Sequence, residues 1–144
     1  MSTKRTIVLR GPFEYYEWEA ASAITPGDCI MLDSAGKAAR NSVATANLPR
    51  APIFAIENSL MGDTIDTDYA AGDTVRAAHV GSGGRVNPRL AASQTIAKGD
   101  YLAPDATGKF IKLNGGTSAG AMLMATEAVT TGAGATARID AQVL

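Results

Sequence analysis

The chain carries one stretch twice. Gly27-Asp28-Cys29-Ile30 leads through Asp33 to Gly36-Lys37, and Gly99-Asp100-Tyr101-Leu102 leads through Asp105 to Gly108-Lys109 at the same spacing, 72 positions later in a chain of 144 residues. Ala20/Ala92, Ile24/Ile96, Gly27/Gly99, Asp28/Asp100, Asp33/Asp105, Gly36/Gly108 and Lys37/Lys109 are identical between the segments. Further on, Ile53-Phe54-Ala55-Ile56-Glu57 answers Leu123-Met124-Ala125-Thr126-Glu127 with the offset reduced to 70, and Gly62 answers Gly132. A repeat constrains a fold more than any local propensity, because each copy must bury the same face. This period is too long for a short-repeat solenoid. It predicts two pseudo-equivalent halves of one domain, about 20–72 and 92–144.

Each copy reads as a hairpin. Thr25-Pro26-Gly27-Asp28 is a turn, since proline presets φ and glycine supplies positive φ. Cys29-Ile30-Met31-Leu32 comes next as a short buried strand, and Asp33-Ser34-Ala35-Gly36-Lys37 sends the chain back. Ile53–Glu57 and Thr74–Val80 read as strands, and Gly81-Ser82-Gly83-Gly84 as a hairpin tip. Residues 38–52 read as a surface loop. Arg85–Ile96 reads as extended or, from Asn87-Pro88 through Ala92, as a short helix. Ala121–Val129 has helix-forming composition, but its match to Ile-Phe-Ala-Ile-Glu favours a strand. Thr136–Leu144 alternates with period two and closes the chain as a strand. Roughly ten short strands with turns every ~8 to 12 residues mark an all-β barrel or sandwich. A small β-barrel of two halves is expected, because paired halves leave no open sheet edge.

Residues 1–19 differ in character from residues 20–144. Thr6-Ile7-Val8-Leu9 is β-prone, Gly11-Pro12 breaks it, and four of the chain's eight aromatics (Phe13, Tyr15, Tyr16 and Trp18) fall within six residues. Nineteen extended residues reach on the order of 60 Å. The segment reads as an arm or an edge strand, and the expected organisation is an N-terminal arm over 1–19 and a β domain over 20–144. Tyr and Trp are frequent interface anchors, so these rings serve either a partner or the domain's own core.

The sequence offers no recognisable chemistry. Its one histidine, His79, lies in a strand, and no Gly-x-Ser-x-Gly elbow accompanies it. One His and one Cys are too few for the usual zinc ligand sets. Asp63, Asp66 and Asp68 lack the spacing of a calcium loop, and Gly81–Arg85 lacks the rest of a phosphate loop. No enzyme, cofactor or metal is expected. A net charge of −1 gives no field for nucleic acid, and Glu14, Glu17 and Glu19 interleave with the rings a single strand would stack on. No apolar run reaches the ~20 residues of a membrane span, and the N-terminus lacks a signal-peptide pattern. Cys29, lying in an apolar run, reads as a small buried hydrophobe.

An N-terminal arm, a Gly/Ala/Thr-rich β domain, Pro-Gly-Asp, Ala-Gly-Asp and Lys-Gly-Asp turns, Asp…Gly-Lys hairpins and a terminal Gly-Ala-Thr-Ala-Arg-Ile-Asp-Ala-Gln-Val-Leu come in this order. The pattern resembles the head decoration, or capsid cement, proteins of tailed bacteriophages. That resemblance implies a β-tulip-like barrel and a non-enzymatic virion protein, made in the host cytoplasm and bound to the outer surface of the expanded capsid. It implies the major capsid protein as partner, self-association as a homotrimer or dimer, and capsid contacts through Ile7, Leu9, Arg10, Phe13, Tyr15, Tyr16 and Trp18. Two other classes compete. A carbohydrate- or host-surface-binding β module would carry exposed rings on the domain itself, and a small hydrolase would lodge His79 beside a nucleophile.

Overall fold

The computed structural model describes residues 4–41, 52–113, 120–133 and 137–144, and across them the chain forms fifteen strands and one 3₁₀ turn, Ser59–Met61. The strands are β1 (Val8–Arg10), β2 (Phe13–Glu19), β3 (Cys29–Leu32), β4 (Ala38–Arg40), β5 (Ile53–Ala55), β6 (Thr74–Val80), β7 (Arg85–Val86) and β8 (Arg89–Leu90). They continue as β9 (Thr95–Ile96), β10 (Tyr101–Pro104), β11 (Phe110–Lys112), β12 (Leu123–Ala125), β13 (Val129–Thr130), β14 (Ala137–Arg138) and β15 (Ala141–Val143). The protein is all-β.

The strands fall into an eight-stranded sheet of order β1-β7-β15-β12-β10-β11-β8-β14, a five-stranded sheet of order β2-β6-β5-β3-β4, and the pair β13-β9. None of them closes on itself, which corrects the expected barrel. Each sheet instead ends on an edge strand, and burial replaces closure. One core lies between the sheets and draws on both: Cys29, Phe54, Ala78 and Val80 from one, Val86, Leu102, Phe110 and Leu123 from the other. The Phe54 and Phe110 rings stack across it with centroids 5.8 Å apart. A second, smaller cluster covers the opposite face of the five-stranded sheet with Ile24, Ile30, Ala55, Tyr69, Val75 and Ala77. Strand period two explains the division, because Cys29/Ile30 and Phe54/Ala55 send neighbouring side chains to opposite faces.

The repeated residues make repeated bonds. Asp33 N–H donates to the Lys37 carbonyl at 2.9 Å and Asp105 N–H to that of Lys109 at 2.7 Å. In both turns the aspartate Oδ1 accepts the N–H two residues on, from Ala35 at 2.9 Å and from Thr107 at 2.7 Å. Gly36 and Gly108 close these turns at φ 76° and 82°, where a Cβ is disfavoured. Asp28 Oδ2 accepts Thr25 N–H at 2.9 Å as Asp100 Oδ2 accepts Ala97 N–H at 2.7 Å. The strand order β2-β6-β5-β3-β4 recurs as β7-β15-β12-β10-β11, antiparallel throughout. The bridge Ala20↔Ala38 is parallel, as is Leu90↔Phe110 in β8 and β11. That pairing sets Ala20 against Leu90 rather than the expected Ala92.

Other expectations resolve locally. Arg85–Ile96 contains three short strands and no helix. Thr136 and most of the 38–52 segment lie outside the described residues, although 38–40 form β4. The closing stretch is two strands, β14 and β15, separated by Ile139 and Asp140. The segment expected as an arm or an edge strand is paired along both its strands with its own chain, at the edge of each sheet: β1 with β7, and β2 with β6 over seven consecutive positions from Phe13↔Val80 to Glu19↔Thr74. Gly11, at φ 95°, makes the corner between them, in keeping with the break that Gly11-Pro12 signals.

Candidate functional site

The residues expected to contact a partner divide by burial. Ile7 is fully buried in the main core, and its N–H donates to Glu57 Oε2 at 3.1 Å. It is a structural anchor, which corrects its assignment to a contact surface. Leu9 is half-buried and Arg10 exposed on β1. On β2 the pleat sends Tyr16 and Trp18 to one face, where their rings stack at 5.1 Å and pack against the smaller apolar cluster. Phe13 and Tyr15 point to the other face and remain 44% and 41% exposed. The pleat therefore divides the four rings between two settings. Two rings belong to the domain, and two are presented to solvent.

The presented face is held in place by polar contacts. Arg76 of β6 lies over the Tyr15 ring at 4.9 Å, and its Nε donates to the Tyr15 hydroxyl at 2.8 Å. The same guanidinium reaches Ser59 Oγ at 3.1 Å, beside the exposed Leu60 and Met61 of the 3₁₀ turn. Tyr15 O–H donates to Glu17, and Tyr16 O–H donates to Glu14 at 2.6 Å. Partial desolvation and the bond to Glu17 raise the Tyr15 phenol above its usual value despite the opposing Arg76 charge, and the bond to Glu14 raises Tyr16. Both phenols stay neutral donors.

A second constellation, hidden in the sequence, brings together residues from distant parts of the chain. Asp28 is fully buried and accepts Arg40 Nε at 2.8 Å and Arg89 Nη1 at 2.9 Å. Arg138 lies alongside, donating through Nη1 to the Pro26 carbonyl at 2.7 Å and through Nη2 to that of Ile65. Burial lowers the Arg138 pKa, and the neighbouring Arg89 charge acts in the same direction. Asp100, the repeat mate of Asp28, pairs instead with Lys112 at 2.9 Å, and Lys112 stands 72 residues after Arg40. The one sequence signal for this cluster was a cation at the same offset as the repeated aspartate. Arg89 and Arg138 gave none.

Arg89 and Arg138 also line an open cleft of about 1040 Å³ with Lys4, Asp66 and Glu127. Its charges are mixed, and Lys4 already pairs with Glu127 at 3.0 Å. Among the described residues no group of three His, Cys, Asp or Glu side chains is placed to hold a metal ion. His79 is the penultimate residue of β6, opposite Glu14 and Ile53. Cys29 is buried, and desolvation pushes its thiol up to about 12. Since the thiolate is the reactive form, folded protein is expected to leave a disulfide-exchange reagent at pH 8 almost unconsumed, with one thiol titrating promptly in denaturant. Prompt reaction of the folded chain would show Cys29 to be open to solvent.

No protein-family model and no curated protein matches the chain. Among solved structures it is similar to the head fiber gp8.5 N base of bacteriophage phi29, with a TM-score of 0.59 over 92% of this chain and 95% of that one, at 12% sequence identity. At that identity the likeness is one of fold.

Proposed function

We propose that the chain is a structural protein of a tailed-phage virion that binds the outer surface of the expanded capsid and strengthens contacts between major capsid protein subunits. The observation that carries this reading is the fold shared with a phage head fiber base along nearly the whole of both chains. The ring-bearing β2 supports it from this chain's own residues. Phe13 and Tyr15 are offered to solvent on a strand fixed along its full length to β6, so little ordering entropy is lost on contact. Residues 6–19 act in this reading from the surface of the domain rather than as a tether, with Leu9, Arg10, Phe13 and Tyr15 as the contact set. The exposed Leu32, Leu60, Met61 and Leu144 suit self-association as a trimer or dimer around the capsid site. Many copies on one shell allow each contact to be modest.

We also take the chain to be one ancestral unit written twice. The shared strand order and the matched aspartate turns support that origin, and they suit a rigid part without moving pieces.

The test is imaging of full-length protein mixed with expanded shells of its phage. Regular density on the outer surface is expected, and a Phe13→Ala/Tyr15→Ala variant of unchanged melting temperature is expected to bind at least about tenfold more weakly, a loss of some 1.4 kcal/mol. Bare shells at saturating protein would overturn the reading. Rings on a sheet face also suit a carbohydrate- or host-surface-binding module. Bare shells together with saturable glycan binding, lost in the same variant, would favour that second reading.

A further inference from the structure

We infer that the outer edge of β2 accepts an extended, apolar and basic segment of another protein as an added antiparallel strand, in the place that β1 takes on β7. The two five-strand sets fix the correspondence. Tyr16 stands opposite Ala77, and Ala77 opposite Ala55; Val86 stands opposite Ala141, and Ala141 opposite Ala125. Tyr16 therefore corresponds to Val86, and Glu17 to Asn87.

On β7 the outer edge is occupied. Val8 and Arg10 of β1 pair with Val86 and Arg85, Asn87 N–H donates to the Ile7 carbonyl at 2.7 Å, and Asn87 Nδ2 reaches the Thr6 carbonyl at 3.4 Å. On β2 the equivalent edge carries no strand among the described residues, because β2 ends its sheet. The phase of its hydrogen bonds is set by Ala20, whose N–H donates to the Asp73 carbonyl at 2.8 Å. In an antiparallel pair, alternate residues exchange both bonds with the partner. Even-numbered residues of β2 thus face β6, and the N–H and C=O groups of Phe13, Tyr15, Glu17 and Glu19 point outward. β2 keeps unbroken register with β6 over seven residues, and β4 meets the outer edge just past its end, where Ala20 bridges Ala38 and Ala21 N–H donates to the Ala38 carbonyl at 2.8 Å. The stretch from Phe13 to Glu17 is left open, whereas exposed edges are commonly shortened or bulged.

Charge selects the occupant. Glu19 is matched by Lys37 Nζ at 2.8 Å, but Glu14 and Glu17 accept tyrosine hydroxyls and make no ion pair among the described residues. A second copy of β2 would bring both sets of glutamates onto one ribbon, and neither strand holds a Lys or Arg to offset them. Where Asn87 offers an amide to a carbonyl, Glu17 offers a carboxylate, which suits a Lys or Arg side chain. The accepted segment is therefore extended, with alternating apolar and basic residues, in the mode of strand addition. The inference rests on the proposed role of residues 13–19 as a contact surface.

The probe is a synthetic peptide of residues 4–10, Lys-Arg-Thr-Ile-Val-Leu-Arg, because this segment fills the matching edge of β7. Titrated into the full chain, it is expected to give a saturable change in the emission of Trp18, the one tryptophan, which lies on β2, with amide shifts confined to Phe13–Glu19 and β6. A Glu14→Lys/Glu17→Lys variant of unchanged melting temperature is expected to bind at least about tenfold more weakly. Methylating alternate backbone nitrogens of the peptide is expected to abolish binding. No saturable change, equal binding of the methylated peptide, or shifts confined to Val86 and Asn87 would overturn the inference. Shell binding by the full chain, assayed in parallel, separates the two readings. Shells bound without peptide remove the strand site alone, and peptide bound with bare shells removes the capsid reading alone.

Discussion

Replacing Asp28 by asparagine is expected to destabilise the fold by about 3–5 kcal/mol, the range for breaking a buried ion pair from one side. Asp28 is fully buried, with Arg40 and Arg89 on its two oxygens and Arg138 beside them. An amide keeps the shape but removes the charge that Arg40 and Arg89 share, and its NH₂ group meets donors with a donor. The same substitution at Asp100 is expected to stay within about 1 kcal/mol, because the Asp100–Lys112 pair is partly exposed, at 23% and 36%, and such pairs contribute little. Urea unfolding of the two variants side by side checks both values, with similar midpoint shifts as the outcome against the argument. The contrast matters because the two aspartates are sequence twins. Only the residues packed around them make one a keystone and leave the other a turn residue.

The second large effect is expected from removing residues 1–18, which should leave a chain with no cooperative unfolding transition at 25 °C. Ile7 is fully buried, and losing such an isoleucine side chain alone costs about 2–5 kcal/mol. The truncation also strips β1 from β7, strips β2 from β6 and uncovers the apolar face under Tyr16 and Trp18. Domains of this size are stable by only about 5–15 kcal/mol. Thermal melting by circular dichroism decides the matter. A sharp transition with dispersed amide resonances would mean that the first eighteen residues are dispensable. Capsid binding is accordingly tested with point variants at Phe13 and Tyr15, which keep the ladder intact.

The hairpins were legible because their signals are local. Asp33 and Asp105 bond backbone amides two residues away, and Gly36 and Gly108 supply the positive φ that completes each turn. The strand at Leu123–Ala125 was legible only through its repeat mate, since its composition favours helix. The roles of the N-terminal rings were not legible. Whether Tyr16 faces the core and Tyr15 faces water depends on which strand lies beside them, and β6 is some sixty residues away. The Asp28 cluster was equally hidden, because Arg89 and Arg138 arrive from other parts of the chain and carry no local pattern.

Residue order was enough to establish that this protein is all-β and where its repeated turns fall, because turn geometry and strand alternation are properties of neighbouring residues. Three outcomes were left to the packed molecule: the sheets stay open, residues 8–19 supply strands of the domain, and one of two identical aspartates is buried among arginines. Each depends on long-range pairing, in which a residue's environment is supplied by chain that no local pattern can name.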